Sequence, residues 1–288
     1  VGLPIPNVEE IRNTAGLQVL EQALSAAYLT MAFNVHAGAT FFDPIPKRGD
    51  ANFHPIADPK VRQAIQYAVD KDAINKVALL GMGDTDCNFI PKALKWAYEP
   101  LDCPTRDLDK ARELLAEAGH GDDWTLTIAP VAGEDIDESI ALIIQQNLAE
   151  IGITVIVEPL EINAWIKDLW KGGLFEATIA GYAREPDPDG LMQSVFRGES
   201  PVGPWGGNNV MGYYDAEIER LFDEGKAISD PVLRKAIYTK IVKKVVFEDV
   251  PLIRFTTKPV FWAANDRVQD AYIMPQGYMS FTNWTFKP

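Results

Sequence analysis

Apolar residues recur at helical spacing in several stretches of the chain. The clearest stretch follows Asp58-Pro59, a pair typical of a helix start. It places five apolar residues on one face: Val61, Ala64, Ile65, Ala68 and Val69. Asp70 is the expected N-cap of a second helix over 71–80, which Gly81 ends. Further helices are predicted over 108–118, 140–151, 164–170, 215–227 and 231–248.

Strands are predicted where apolar residues alternate with polar ones or where β-branched residues cluster. These segments are 28–34, 124–129, 153–157, 175–181 and 250–256. From 124 to 181 the order is strand, helix, strand, helix, strand. This order predicts an α/β fold with a mixed, mostly parallel sheet flanked by helices.

Charge and composition narrow the class of protein. The chain has 288 residues and a net charge of −14 at pH 7, which disfavours nucleic acid as a partner because phosphates are bound by concentrated Lys and Arg. No apolar run reaches the length of a membrane-spanning helix. Cys87 and Cys103 are the only cysteines, and they favour a disulfide in an oxidising compartment and two thiols in the cytosol.

Catalytic motifs are missing from the sequence. The three histidines are dispersed, so no metal site is predicted, and no phosphate-binding loop or serine nucleophile elbow occurs. We therefore expect no cofactor and no enzyme activity. The alternative is a glycoside or peptide hydrolase that uses Glu185 and Asp187, since paired carboxylates can cleave glycosidic bonds. Carboxylates two residues apart in a proline-locked turn point in different directions, which disfavours this alternative.

Several motifs resemble one family of binding proteins. From Asp58 the sequence reads D-P-K-V-R-Q-A-I-Q-Y-A-V-D-K, which is similar to the N-x-x-V-R-Q-A-[IL]-x-Y-A-[IV]-[DN]-[KR] helix of the dipeptide- and oligopeptide-binding proteins (family 5) of ABC importers. Other segments resemble that family in the same order: 28–34, Ile90-Pro91, 109–119, 148–157, Gly181-Tyr182, Asp187-Pro188-Asp189 and 250–253. Together they cover nearly the whole chain.

The resemblance implies a periplasmic-binding-protein-like fold of the class II type, with two lobes around a cleft. Residues 1–34 would be a remnant of lobe I and the first hinge strand. Residues 35–252 would be lobe II, which binds the solute, and residues 253–288 the second hinge strand and the return to lobe I. On this basis we expect a truncated C-terminal portion of a longer protein.

The resemblance also implies where a ligand binds. The family's acidic position falls on Glu185, and Arg184 beside it departs from the peptide-binding pattern, because a guanidinium prefers a carboxylate, phosphate or sugar hydroxyl. Tyr182 would offer a flat amphipathic surface. The remaining expected contacts are Phe33, Asn34, Asp187, Trp205 and Asn209.

The implied function is solute capture for an ABC importer. The ligand would be a peptide or another polar solute such as an oligosaccharide or an opine, and the protein partners would be the permease subunits in the membrane. The expected location is periplasmic, or extracellular with a membrane anchor in a Gram-positive host. A ligand sensor that presents to a membrane receptor is a further alternative. We also expect a non-physiological dimer through the aromatic C-terminal tail, whose usual packing surface would be the absent lobe.

Overall fold

A computed structural model describes residues 2–21, 27–37, 50–51, 53–120, 124–171, 173–183, 187–198, 209–274, 279–280 and 284–287. The helices in these ranges are α1 Val8–Arg12, α2 Pro59–Ala68, α3 Lys71–Ala78, α4 Leu108–Ala118, α5 Asp135–Ala149, α6 Ile162–Ala164, α7 Pro188–Phe196, α8 Ala216–Ala227 and α9 Pro231–Lys243. Wider helical turns extend α6 over Trp165–Lys171 and α9 over Lys244–Glu248, and single 3₁₀ turns lie at Ile5–Asn7 and Pro55–Ala57.

Within the same ranges the strands fall into four sheets. They are β1 Gly2–Leu3, β2 Leu17–Glu21, β3 Ala27–Phe33, β4 Asp84–Thr85, β5 Thr125–Ile128, β6 Thr154–Val157, β7 Ala177–Ala183, β8 Leu252–Thr257, β9 Phe261–Asn265, β10 Val268–Gln269, β11 Tyr272–Ile273, β12 Met279–Ser280 and β13 Thr285–Phe286. The main sheet has six strands in the order β4-β8-β3-β7-β5-β6.

Aspartate caps confirm the predicted helix starts. Asp58 accepts a hydrogen bond from the Lys60 backbone N–H, and Asp70 accepts one from Ala73. Asp107, Asp215 and Asp230 cap α4, α8 and α9 in the same way. The predicted helix over 108–118 ends at Gly119, which adopts the left-handed conformation common after a helix C-terminus.

The α/β fold and the mixed sheet are confirmed, but the parallel part of the sheet is smaller than predicted. Only β5–β6 and β5–β7 pair in parallel within the described ranges, while β3–β7, β3–β8 and β4–β8 pair antiparallel. The strand-helix-strand pattern correctly predicts the β5-α5-β6 unit. It could not show that β3 pairs antiparallel with β7, or that β8, which is distant in sequence, pairs antiparallel with the other side of β3.

Both faces of the main sheet are covered by helices. Leu29, Met31 and Phe33 of β3 point to one face, where they join a core with α2, α3, α4 and α5. Tyr28 and Ala32 point to the other face and pack with α7, α8 and α9. Alternate residues of one strand therefore belong to two cores, which is the expected consequence of the period-2 geometry of a strand.

The two ends of the chain form a small sheet of their own. β9 pairs antiparallel with β1 and with β2, in the order β1-β9-β2. β2 ends at Glu21 and β3 begins at Ala27, while β8 ends at Thr257 and β9 begins at Phe261. The chain thus passes twice between the small sheet and the main sheet, at neighbouring strands. No helix in the described ranges is long and apolar enough to span a membrane.

Cys87 and Cys103, the predicted pair, are joined by a disulfide that closes the segment after β4. A cross-link between residues 16 apart stabilises the fold mainly by restricting the unfolded chain, by about 3 kcal/mol. We expect the double variant Cys87→Ser/Cys103→Ser to lose about this free energy of unfolding, measured by urea denaturation. Equal unfolding midpoints for the variant and the oxidised protein would contradict a stabilising role.

Candidate functional site

The candidate site lies at the edge of the main sheet where the two connections to the small sheet cross. Ala27 at the start of β3 pairs with Ala183 at the end of β7, and Tyr28 pairs with Thr257 at the end of β8. The Lys258 backbone N–H donates to the Ala27 carbonyl at 2.9 Å. The start of β3 and the ends of β7 and β8 therefore lie side by side at one end of the strands. We call this end of the main sheet the hinge-side edge.

Arg184 and Glu185 follow directly on Ala183 in the sequence, but both lie outside the described residues, as does Trp205. Their ligand contacts stay predictions. What the structure adds is the position of the strand that leads to Arg184 and Glu185. β7 ends at the hinge-side edge.

Tyr182 and Phe33 are buried in the main sheet. Tyr182 is 3% exposed, its ring centroid lies 5.8 Å from that of Tyr28, and its hydroxyl lies 3.9 Å from the Met211 sulfur. Phe33 is fully buried in the opposite core. Both side chains pack within the protein in this structure, and ligand contact by either residue stays a prediction that would require local opening.

Asn34 and Asn209 use their side-chain amides to bind backbone groups. The Asn34 Nδ2 donates to the carbonyls of Gly173 and Phe175 at 2.8 and 2.9 Å, and its Oδ1 accepts from the His36 N–H. Asn209 makes the corresponding pair of bonds with the backbone of Tyr213. These contacts hold loops in place, and Asn34 also lines a cavity described below.

Asp187 has two structural partners. It caps α7 through the Asp189 backbone N–H, and both of its carboxylate oxygens accept from Arg234, at 2.8 and 2.9 Å. Partial burial favours a higher pKa for Asp187, but the hydrogen bonds from Arg234 and the backbone outweigh it and hold the pKa below its usual range. The Asp187 carboxylate is therefore ionised and engaged at neutral pH.

Gly181 is a residue at the edge that the sequence reasoning did not assign to the ligand. It is exposed in β7, while Tyr182 beside it is buried. A Cβ at this position would come no closer than 3.7 Å to the Leu29 side chain, so the space in front of Gly181 is open. The signal in the sequence was a glycine inside a strand, which often marks a close approach by a ligand or another backbone.

Asp137 and Lys258 place two charges near the hinge-side edge. Burial raises the pKa of Asp137 to about 6, and the charge of Lys258 only partly opposes this. An acid with a raised pKa in the folded state stabilises the fold at pH values below its unfolded pKa. That contribution is lost as the pH rises through about 6.

The unchanged protein loses this contribution when the pH rises from 4 to 7, whereas Asp137→Asn has no carboxyl group to lose it. We therefore expect the free energy of unfolding of the variant, relative to that of the unchanged protein, to be about 2–3 kcal/mol higher at pH 7 than at pH 4. Urea unfolding at the two pH values measures this difference. Asp135→Asn, an exposed position in the same helical turn, is the control and should change the free energy of unfolding by about 0.5 kcal/mol or less. A pH-independent difference for Asp137→Asn would show that its carboxyl is not buried.

A polar cavity of about 490 Å³ lies at the other end of β3. Asn34, Glu158, Asp168 and Glu176 are among its lining residues. Glu176 accepts a hydrogen bond from the Thr127 backbone N–H, and one of its oxygens lies 3.4 Å from His54 Nε2. The cavity is acidic. The hinge-side edge lies at the start of β3 and the cavity lies beyond its end, so the length of the strand separates the two.

Comparison with known proteins identifies the family. Residues 1–201 match the family model described as bacterial extracellular solute-binding proteins, family 5 middle. The chain therefore belongs to family 5 of the bacterial extracellular solute-binding proteins, as the motifs predicted.

The relatives are about twice as long as this chain. Di/tripeptide-binding protein 3 of Pseudomonas aeruginosa is 31% identical over 241 residues, which are 81% of this chain and 44% of that protein. The fold is similar to the crystal structure of the ABC transporter substrate-binding protein CtaP from Listeria monocytogenes, with a TM-score of 0.82 and 20% sequence identity. The match covers 99% of this chain and 55% of the CtaP chain. AgaA from A. tumefaciens R10, solved with agropinic acid, has a TM-score of 0.77 and 25% identity over 94% of this chain and 51% of its own.

Proposed function

We propose that this chain contributes the solute-binding lobe of an extracytoplasmic receptor that delivers a peptide or another polar solute to an ABC importer. The observation that carries the proposal is the pairing of β3 with β8 at the point where the chain crosses between the two sheets. Two adjacent strands can hinge through a few backbone angles, and a solute that contacts both sides stabilises the closed form. In this proposal the lobe extends from β3 to β8, and the small sheet belongs to the opposing lobe.

The solute is proposed to bind at the hinge-side edge. Exposed Gly181 lies there, and Arg184 and Glu185 follow the strand that ends there. An arginine and a glutamate next to each other suit a solute that carries both a carboxylate and an amino group or hydroxyls. A short peptide and an opine such as agropinic acid both meet this description, and relatives named for di- and tripeptides and a neighbour solved with agropinic acid support the choice.

We further propose that the chain binds the solute without cleaving it. Asp187, one of the two carboxylates of the hydrolase alternative, is ionised, pairs with Arg234 and caps a helix, so it is a poor general acid. The disulfide between Cys87 and Cys103 supports an oxidising location such as the periplasm or the cell exterior. The permease subunits of the importer are the proposed protein partners.

A thermal-shift screen tests the proposal. The panel contains di- and tripeptides and agropinic acid, each at millimolar concentration. A solute present at about 100 times its dissociation constant adds about 2.7 kcal/mol to the stability, which corresponds to a rise of roughly 5–10 °C in Tm. Mass spectrometry of the recovered solute should find it unchanged. Failure of every solute to raise Tm, or the appearance of a cleavage product, would refute the proposal.

A further inference from the structure

A second cavity, of about 300 Å³, lies on the side of the main sheet away from β7. It is bounded by the start of α3, by strand β4 and by residues 103–106 of the disulfide-closed segment. β4 is the edge strand, three strands from β7 in the sheet order. The cavity is therefore separate from the solute site proposed above, and its volume is enough for a small ion with its waters.

Lys71 lines this cavity, and the described residues offer its ammonium fewer acceptors than it has donors. The residue is only 8% exposed, and within the described ranges its ammonium makes one hydrogen bond, a long one of 3.4 Å to the Pro104 carbonyl. An ammonium has three N–H donors. A buried ammonium with one weak partner costs free energy, so an acceptor in the cavity would be stabilising.

Arg254 of β8 is a second buried cation with unused donors. It is 3% exposed, and only its Nη2 donates, to the Thr257 hydroxyl at 2.6 Å. Its Nε and Nη1 atoms have no acceptor among the residues that the structure describes. The guanidinium lies 5.2 Å from the centre of the Tyr28 ring, and this cation–π contact only partly replaces the missing hydrogen-bond acceptors.

Among the residues that the structure describes, the one buried carboxylate whose charge acts on both Lys71 and Arg254 is Asp86, on the cavity wall. Its oxygens, however, accept hydrogen bonds from the Asn88 N–H and the Tyr98 hydroxyl. In the described part of the chain no carboxylate oxygen lies within 4.0 Å of either cation. Two buried cations thus share one carboxylate that is already engaged.

The other charges of the wall do not replace this missing partner. Asp70 uses its carboxylate to cap α3, and Asp72 is exposed to solvent. Arg106 pairs with Glu150 at 2.6 Å and donates to the Ala68 carbonyl, and it adds a third positive charge at the cavity mouth. The groups that lack hydrogen-bond partners among the described residues belong to Lys71 and Arg254, and both are positively charged donors.

We infer that this cavity binds a small oxyanion, such as sulfate, phosphate or a free carboxylate, with the Lys71 ammonium as its direct donor and Arg254 and Arg106 as supporting charges. The anion would give the buried ammonium the acceptors it lacks. It would also connect α3 to the disulfide-closed segment through contacts with both walls.

Sulfate is the probe for the test, because it does not titrate near neutral pH. Calorimetric titration of the 288-residue chain should show saturable binding of one sulfate. Lys71→Met, which keeps the apolar stem, should weaken that binding at least tenfold. Lys76→Met, an exposed position on the same helix, should leave it unchanged. Absence of binding, or equal binding by Lys71→Met, would overturn the inference.

Proton uptake is a second readout that needs no variant. Burial lowers the pKa of Lys71 to about 8 against the opposing charge of Asp86, while Arg254 adds to the lowering. A bound oxyanion raises that pKa, so binding at pH 8 should take up about half a proton, seen by titrating in two buffers of different ionisation enthalpy. Binding without proton uptake would indicate an adventitious ion only and would overturn the assignment to Lys71. Gly181→Leu should bind sulfate normally, which separates this test from the test of the solute site.

Discussion

Arg62→Met is expected to lower the free energy of unfolding by about 3–4 kcal/mol, because it removes the donors of the turn that leads into β8. The buried Arg62 guanidinium donates to the carbonyls of Asp249 and Val250 and to the Ile56 carbonyl at 2.8 Å. Burial lowers its pKa to about 10, so it remains charged at neutral pH. Urea denaturation of the variant measures the loss.

The turn that Arg62 holds is strained, which is why its loss should be large. Val250 has a φ of +42° and is fully buried, a conformation that a β-branched residue rarely adopts. Lys60→Met is the matched control, since Lys60 lies on the same helix and makes only a surface ion pair with Glu117. That control should change stability by less than about 1 kcal/mol. A loss below 1 kcal/mol for Arg62→Met would contradict the proposed role of the guanidinium.

Gly181→Leu is expected to remove solute binding and to leave the fold intact. The position is exposed, and a Cβ would meet only ordinary van der Waals contacts, with the Leu29 side chain at 3.7 Å and the Tyr28 carbonyl at 3.9 Å, so the strand accommodates a side chain. A leucine would instead fill the space in front of β7 where the solute is proposed to lie. We expect at least a hundredfold weaker binding of any solute that raises Tm in the thermal-shift screen, measured by calorimetric titration.

Thr154→Leu is the matched control for this prediction. Thr154 is exposed on β6, the edge strand two strands away from β7 in the same sheet, and the variant should bind the solute like the unchanged chain. Equal binding by Gly181→Leu and Thr154→Leu would place the solute elsewhere. A collapse of the Gly181→Leu fold would contradict the open space seen at this position.

Local features of the fold were predictable because their causes are local. Asp58 and Asp70 cap helices by reaching backbone N–H groups two or three residues ahead, and Gly119 ends a helix because it adopts a positive φ at no cost. The pairing of β3 with β8 joins segments more than 200 residues apart. Only tertiary contacts determine such a register.

The candidate site was less predictable for the same reason. Alternation in β3 and β7 assigns Phe33 and Tyr182 to a face of their own strands. It does not show that the two strands pair with these side chains on opposite sides of the sheet, or that helices bury both residues. Arg62 and Arg254 are both buried arginines, yet one has backbone acceptors for most of its donors and the other has a single hydroxyl. Their sequence neighbours do not distinguish them.

Hydrogen–deuterium exchange of the chain, with and without the solute that raises Tm most, tests the proposed site directly. Bound solute should slow exchange in Ala27–Leu29, at residues 181–183 and at Lys258, because the strand ends that hold it open less often in the complex. Protection confined to residues around Glu158 and Glu176, with no change at the ends of β3, β7 and β8, would contradict the account.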